Sequence, residues 1–231
     1  MTISGEKTAL LFLGGEVFLP NGLLPQIVNL ASLIVAADGG LRHAIANHIP
    51  VDVLIGDLDS VWSEQVESAV AAEMRVILQP DQNSTDFEKA LVWLETEGFR
   101  KVIILGFAGG RSDHAFVNFS ILRNFASKFS SLVIHDFENE MQILLPEHGV
   151  TELRREPGTR VSLLPLPEAG GISATGFEWP ILDGTLGFGA QVSLSNRIDA
   201  SGVARIAFKS GALLMAIERD AIKRDASEAA S

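Results

Sequence analysis

Short apolar runs alternate with longer stretches of helical periodicity up to about residue 146 of the chain. This alternation is typical of βαβ units that build a parallel sheet. The predicted strands are residues 9–13, 33–37, 53–55, 75–78, 102–105 and 132–135. The predicted helices are residues 24–31, 41–47, 63–72, 86–97 and 113–125. Because the predicted strands are almost wholly apolar, both faces of the sheet should be covered.

The predicted helix over 86–97 has the clearest boundaries. Thr85 and Glu88 form a T-x-x-E capping box, in which each side chain can satisfy a backbone N–H at the start of the helix. Gly98 follows the last turn, where glycine commonly ends a helix. The apolar residues between these limits fall on one helical face, which predicts that this face packs on the sheet.

A different pattern follows Pro146. Gly, Pro, Thr and Ser become frequent, and short alternating runs occur at residues 160–164, 191–194, 204–208 and 213–217. Alternation with a period of two predicts an antiparallel β domain. We therefore predict an α/β protein in which an N-terminal, three-layer, mostly parallel Rossmann-like sheet precedes a C-terminal antiparallel β-sandwich. The predicted limits are residues 1–146 for the first domain, 147–220 for the second and 221–231 for a polar tail.

The composition narrows the class of protein. The 231 residues are 47% hydrophobic, which is typical of a folded chain. Asp and Glu number 29 against 18 Lys and Arg, and the net charge of −11 disfavours binding to the phosphates of nucleic acid. The absence of cysteine excludes disulfides, thiolate zinc sites and cysteine nucleophiles. No apolar run approaches the roughly 20 residues that span a bilayer, so we expect no membrane association and a cytoplasmic location.

Two aspartates follow the third predicted strand, in the segment Gly56-Asp57-Leu58-Asp59-Ser60. Residues two apart on an extended chain point the same way, so both carboxylates could face one cation. Mg²⁺ prefers such oxygen ligands, and open α/β sheets bind ligands at the carboxyl ends of their strands. The alternative is an ordinary turn in which Asp59 or Ser60 caps the next helix.

Three more strand ends carry residues of the same kind. They are Asp38-Gly39-Gly40 after the second strand, Asp86 and Lys89 in the helix after the fourth, and Gly109-Gly110-Arg111 with Asp113 after the fifth. Glycines let a ligand approach the backbone, a helix start favours an anion, and the arginine fork matches phosphate oxygens. Each segment alone could be a turn or a helix cap, but the combination indicates a metal-assisted phosphate site. The chain contains neither a P-loop nor a dinucleotide fingerprint.

In order and spacing, these segments resemble the thiamine pyrophosphokinase family. The matching segments are Ala37-Asp-Gly-Gly40, Gly56-Asp-Leu-Asp-Ser60, Asp81-Gln-Asn-Ser-Thr-Asp86 with Lys89, and Gly109-Gly-Arg-Ser-Asp-His114. The resemblance continues in Thr175-Gly-Phe-Glu-Trp-Pro-Ile181 and Ser193-Leu-Ser-Asn196, so it covers about residues 9–217. It implies a nucleotide-binding α/β domain, a thiamine-binding β-sandwich and a homodimer with the thiamine site at its interface. It also implies transfer of pyrophosphate from ATP to thiamine with release of AMP.

The resemblance further implies roles for single residues. The expected magnesium ligands are Asp57, Asp59 and Asp86. The expected nucleotide and phosphate contacts are Asp38, Gly39, Gly40, Gln82, Thr85, Lys89, Gly110 and Arg111. Asp113 is expected beside them, and either Asp59 or Asp113 could accept the proton of the attacking hydroxyl.

The expected thiamine contacts lie in the β half of the chain. Trp179 would stack on a thiamine ring, and Ser195 and Asn196 would complete the pocket. An aromatic face suits a cationic thiazolium. The alternatives are a core position for Trp179 and an ordinary turn at Ser195 and Asn196.

Two other functions fit parts of the pattern. Asp57-Leu-Asp59-Ser-Val61 also matches the D-x-D-x-[TV] pattern of magnesium-dependent phosphatases that form an aspartyl-phosphate. That pattern should follow the first strand, whereas here it follows the third. The other alternative is a nucleotide- or vitamin-binding module without catalysis, although such a module has little use for several clustered acids.

Overall fold

A computed structural model of the chain describes residues 6–57, 74–81 and 83–219. Contacts divide the chain into two compact units, Met1–Phe137 and Glu138–Ser231. Several sequence predictions lie outside the described residues: the helix over 63–72, the site residues Asp59 and Gln82, and the whole C-terminal tail over 221–231. Within the described ranges, no helix has the length and apolar character needed to cross a membrane.

The first unit contains a parallel sheet. Its strands are β1 (Thr8–Phe12), β2 (Leu33–Ala37), β3 (Val53–Gly56), β4 (Arg75–Leu78), β5 (Lys101–Leu105) and β6 (Ser131–His135). They lie in the order β4-β3-β2-β1-β5-β6, and each neighbouring pair is parallel. All the strands predicted for this half form within one residue of their predicted limits, and the predicted parallel α/β class is confirmed.

Helices α1 (Leu23–Leu30), α2 (Leu41–Ala46), α3 (Asp86–Thr96) and α4 (Ser112–Phe125) connect these strands. Thr85 caps α3 as predicted, because its Oγ1 accepts the backbone N–H of Glu88 at 3.2 Å. Consecutive residues Leu10, Leu11 and Phe12 of β1 are all fully buried. Since successive strand side chains point to opposite faces, both faces of the sheet are covered at β1.

The order in which strands are added reverses at β1: β2, β3 and β4 lie on one side of it, and β5 and β6 lie on the other. Such a switch point is where open α/β sheets form their ligand crevice. The segments after β1 and β5 remain hydrogen-bonded beyond the strands: Gly15 N–H donates to the Gly106 carbonyl at 2.9 Å, and Glu16 N–H donates to the Ala108 carbonyl at 2.7 Å. These hydrogen bonds interlock the two loops at the switch point.

The second unit is antiparallel, as predicted. Its strands are β7 (Asn139–Leu144), β8 (Thr151–Arg154), β9 (Arg160–Thr175), β10 (Ile181–Gly187), β11 (Ser193–Arg197), β12 (Val203–Ala207) and β13 (Ser210–Glu218). The long strand β9 pairs with β11 and β13 along its first part and with β10 and β12 along its second. Strand β7, which the sequence pattern does not predict, pairs with β13.

The interlocked loops predict different outcomes for two adjacent glycines. A Cβ at Gly15 would overlap with the carbonyl oxygens of Gly106 and Ala108, whereas a Cβ at Gly14 would lie 3.9 Å from its nearest neighbours in Gly39. Gly15→Ala should therefore lower the free energy of unfolding by about 2 kcal/mol, as overpacking does. Gly14→Ala is the matched control and should have a much smaller effect. Urea titration followed by circular dichroism compares them, and equal losses would contradict the interlocked arrangement.

Candidate functional site

Three carboxylates converge at the carboxyl edge of the parallel sheet. Asp38, Asp57 and Asp86 each offer one oxygen, and these oxygens all lie within 4.8 Å of one another. Asp38 follows β2, Asp57 follows β3, and Asp86 begins the helix after β4. Because these strands are consecutive parallel neighbours, their carboxyl ends lie side by side. The topology thus explains why acids far apart in sequence meet at one point.

Gly56 makes the close approach of these acids possible. A Cβ at this position would lie 3.1 Å from Asp38 Cβ and 3.3 Å from Asp86 Oδ1. Both distances are tighter than ordinary van der Waals contacts. A larger residue at the end of β3 would therefore push the carboxylates apart.

Asp38 is the most constrained member of the cluster. It is 6% exposed, and its backbone adopts a left-handed φ of 42°. Its Oδ1 is buried and has no hydrogen-bond partner among the described residues. Since a buried carboxylate oxygen is costly without a partner, this atom indicates a cation site. The donor set consists of hard oxygen ligands, which fit Mg²⁺ or a similar ion.

Lys89 places a positive group at the cluster. Its side chain is 3% exposed, and its Nζ lies 3.0 Å from Asp86 Oδ1 and 4.0 Å from Asp57 Oδ2. The pair with Asp86 has the i,i+3 spacing of an ordinary surface pair, but it is buried on the lysine side. The pKa of the Asp86 carboxyl is raised, chiefly by burial. The Lys89 contact lowers this pKa, and the charges of Asp38 and Asp57 raise it.

Arg111 and Asp113 form a separate exposed pair at the start of α4. Arg111 Nε donates to Asp113 Oδ1 at 3.1 Å, and Nη2 donates to Oδ2 at 2.5 Å. The hydrogen bonds from Arg111 lower the pKa of Asp113 to about 2. Gly110, just before Arg111, has a left-handed φ of 76° and open space where a side chain would lie. The three-carboxylate cluster does not include Asp113.

The remaining nucleotide-side candidates have local structural roles. A Cβ at Gly40 would overlap with the carbonyl of Phe12, so this glycine lets the start of α2 pack against the end of β1. Gly39 lies between Asp38 and Gly40 in a 3₁₀ turn. Thr85 is the exposed N-cap of α3.

Sequence reasoning missed two residues at the switch point. Arg42 Nη2 and His43 Nε2 both donate to the backbone after β1: Arg42 to the carbonyls of Gly14 and Gly15, and His43 to that of Gly15 at 2.6 Å. Burial lowers the pKa of His43. The Gly14-Gly15 pair directly after the first strand was the sequence signal that could have indicated this loop.

In the second unit, Asn196 holds Trp179. Asn196 is 5% exposed, its Oδ1 accepts the Trp179 N–H at 3.2 Å, and its Nδ2 donates to the Trp179 carbonyl at 2.7 Å. Trp179 is 57% exposed, so the alternative of a core aromatic does not apply. Ser195 has a left-handed φ of 55°, and its N–H donates to Ser162 Oγ at 3.0 Å. Asn196 thus fixes the backbone that carries the exposed Trp179.

Carboxylates gathered at the ligand-binding edge of a doubly wound sheet are typical of enzymes that act on phosphates with a divalent cation. Two family models place the chain within this class. Residues 24–134 match the model described as "Thiamin pyrophosphokinase, catalytic domain", and residues 147–213 match "Thiamin pyrophosphokinase, vitamin B1 binding domain". The chain belongs to the thiamin pyrophosphokinase family.

Curated relatives agree with this assignment. Thiamin pyrophosphokinase 1 of Caenorhabditis elegans is 25% identical over 219 residues, which cover 90% of this chain and 88% of the relative. Thiamine pyrophosphokinase 1 of Oryza sativa subsp. japonica is 27% identical over 208 residues, with coverage of 78% and 76%.

Two solved structures share the fold. The thiamine pyrophosphokinase from Bacillus subtilis has a TM-score of 0.77 at 23% identity and covers 93% of this chain and 100% of its own. The thiamin pyrophosphokinase from Candida albicans has a TM-score of 0.80 at 18% identity, with coverage of 93% and 90%. At these identities the likeness supports the fold.

The unpartnered Oδ1 of Asp38 predicts a gain of stability when the charge of this residue is removed. Asp38→Asn should raise the free energy of unfolding of the metal-free protein by about 1 kcal/mol, because it removes a buried negative charge that has one oxygen without a hydrogen bond. Asparagine also tolerates the left-handed backbone. Urea denaturation in the presence of EDTA gives the measurement.

Asp183→Asn is the matched control for this variant. Asp183 also has a left-handed φ, of 52°, but it is exposed and paired with Lys209 at 2.8 Å. Its substitution should change stability by less than about 0.5 kcal/mol. A loss of stability in Asp38→Asn would show that the carboxylate is satisfied in the free protein.

Proposed function

We propose that the chain transfers the pyrophosphoryl group of ATP to the hydroxyethyl oxygen of thiamine, giving thiamine diphosphate and AMP. The observation that carries the proposal is the convergence of Asp38, Asp57 and Asp86 within the unit that matches the catalytic-domain model. The match of residues 147–213 to a vitamin B1 binding domain supports thiamine as the acceptor. The names of the curated relatives support the same reaction.

A magnesium ion fits the donor set of the cluster. Asp57 and Asp86 would hold it, with the buried Asp38 carboxylate on the third side. Asp59 is a further proposed ligand, from its spacing of two residues after Asp57. When bound, the ion would offset the negative charge of the polyphosphate. The carboxylates of the chain would set the position of the ion.

In the proposed reaction, the hydroxyl oxygen of thiamine forms a bond to the β-phosphorus of ATP. The bond from that phosphorus to the oxygen shared with the α-phosphate breaks, and AMP leaves with that oxygen. Positioning and charge neutralisation supply most of the catalysis in such transfers. Arg111 is the proposed phosphate contact, because its exposed guanidinium follows a glycine loop at the start of α4.

Asp113 is better suited to align Arg111 than to accept a proton. It holds the guanidinium through two hydrogen bonds. A carboxylate with a pKa of about 2 is a weak base at neutral pH. Asp59 stays the other proposed acceptor for the hydroxyl proton.

Trp179 is the proposed contact for a thiamine ring. An exposed indole face attracts a cationic heterocycle, and Asn196 fixes the backbone from which Trp179 projects. Asn196 then acts as a positioning residue, because its Oδ1 and Nδ2 are already engaged with backbone groups. Ser195 precedes it on the same strand.

A homodimer with the thiamine site at its interface is the proposed assembly. The chain segment from β10 to β11 carries three large apolar residues that are exposed: Leu182 is 74% exposed, Phe188 72% and Leu194 69%. Exposed apolar side chains gathered on one part of a surface often mark a protein interface.

The phosphatase alternative has less support. Asp57 follows β3, the third strand of the unit, whereas the D-x-D-x-[TV] pattern should follow the first. Both matching family models describe thiamin pyrophosphokinase domains, which also disfavours a module without catalysis.

The nucleotide product tests the proposed function. Incubation with Mg·ATP and thiamine should yield AMP and thiamine diphosphate in equal amounts, and AMP should not form without thiamine. Asp57→Asn should reduce this turnover about 100-fold or more, as the loss of an electrostatic contact at a reacting centre does. Chromatography of the products gives the measurement. ADP, free phosphate or no thiamine-dependent product would contradict the proposal.

Substitution of Trp179 tests the thiamine contact. Trp179→Ala should raise the KM for thiamine about ten-fold or more and leave the KM for ATP unchanged, because it removes one cation–π contact. Steady-state kinetics with each substrate varied gives both constants. Trp93→Ala, on α3 in the other unit, is the control and should change neither KM. An equal rise in both constants for Trp179→Ala would contradict the assignment.

A further inference from the structure

We propose that Lys89 is the built-in counter-ion of the Asp38, Asp57 and Asp86 cluster: it holds the carboxylates together before a metal ion arrives and lowers their affinity for the bare ion. This inference rests on the proposed function, because it takes the cluster to be a metal site. It replaces the expectation from sequence that Lys89 reaches out to a phosphate of ATP.

The burial of Lys89 is the first support. Lysine side chains usually carry their ammonium group out to water along an apolar stem. Lys89 is instead 4% exposed, on a helix whose neighbouring residues Ala90 and Leu91 are fully buried. A buried ammonium is stable only when it is paired. The position of the Lys89 ammonium is therefore set by the carboxylates that pair with it.

The contacts of Lys89 identify those acids. Its Nζ donates to Asp86 Oδ1 at 3.0 Å and lies 4.0 Å from Asp57 Oδ2. Both aspartates belong to the cluster whose oxygens lie within 4.8 Å of one another. The ammonium thus contacts two of the acids that would surround a metal ion.

The charges determine the sign of the effect on metal binding. With each carboxylate counted as −1, the three described acids give −3, and Lys89 brings this sum to −2. A divalent ion that enters this cluster meets a weaker negative charge than the carboxylates alone would present, and it also meets the like charge of the ammonium. Lys89 therefore weakens binding of the bare ion.

The same charge favours the metal–nucleotide complex. Mg·ATP carries a net negative charge, so an uncompensated cluster of three carboxylates would repel it more strongly than a cluster balanced by Lys89. The lysine thus disfavours the free ion and favours the ion that arrives on a polyphosphate. This gives the buried pair a role in selecting the form of the metal that binds.

Titration with Mn²⁺ alone tests the proposal. Electron paramagnetic resonance of free Mn²⁺ gives the dissociation constant for the wild type, for Lys89→Met and for Lys101→Met, without nucleotide. Lys101 is the matched control, since it forms an exposed pair with Glu6 at 3.2 Å. Lys89→Met should bind Mn²⁺ at least about ten-fold more tightly than the other two proteins, because a full positive charge has been removed from beside the site.

The other outcomes separate this inference from the proposed function. Equal or weaker Mn²⁺ binding by Lys89→Met, with clear binding by the wild type, would overturn the role of Lys89 and leave the metal site intact. No Mn²⁺ binding by any of the three proteins would contradict the metal site itself, and the role of Lys89 with it.

A double variant keeps the proposal testable if Lys89→Met does not fold. Lys89→Met combined with Asp86→Asn removes one charge of each sign. The urea midpoint of this double variant should therefore lie at least halfway from that of Lys89→Met to that of the wild type. Failure of Asp86→Asn to restore any stability in the Lys89→Met background would overturn the counter-ion role.

Discussion

Mutual repulsion among three carboxylates is the constraint on which the rest of this site depends. Asp38, Asp57 and Asp86 would move apart in water, but here Asp38 and Asp57 follow two neighbouring strands of one parallel sheet and Asp86 begins the helix after a third. The fully buried strand β3 and the tight packing around Gly56 oppose that separation. The stability of the sheet therefore maintains an arrangement of charges that is unfavourable without a cation, as functional sites often require.

The surroundings of the cluster follow from the same constraint. Lys89 is buried against two of the acids, and Asp38 keeps one oxygen without a protein partner among the described residues. The loops at the switch point are fixed by hydrogen bonds. The backbone of Gly15 bonds to the Gly106 carbonyl and to the side chains of Arg42 and His43. A preformed, interlocked backbone of this kind limits the reorganisation that a ligand must cause when it binds.

Much of this fold could be predicted from the sequence, because apolar runs and capping signals are local. The parallel strands and the Thr85 cap are examples, since each depends on residues close in sequence. Strand β7 could not be predicted in the same way, because Asn139 to Gln142 lack apolar alternation and the strand is specified by its pairing with β13. The sequence pattern itself indicated acids at strand ends, but the family resemblance placed Asp38 on the nucleotide. Its convergence with Asp57 and Asp86 depends on the neighbour order of β2, β3 and β4. The burial of Lys89 likewise depends on packing, which spacing alone does not reveal.

The position of a bound metal tests the central claim most directly. Crystals grown with Mn²⁺ and a non-hydrolysable ATP analogue would give anomalous difference density at the manganese edge. We expect a peak within about 2.5 Å of carboxylate oxygens of Asp57 and Asp86, a distance typical of oxygen ligands around hard divalent cations. Nucleotide density with a metal peak elsewhere, or with Lys89 in contact with phosphate and no ion among the carboxylates, would contradict it.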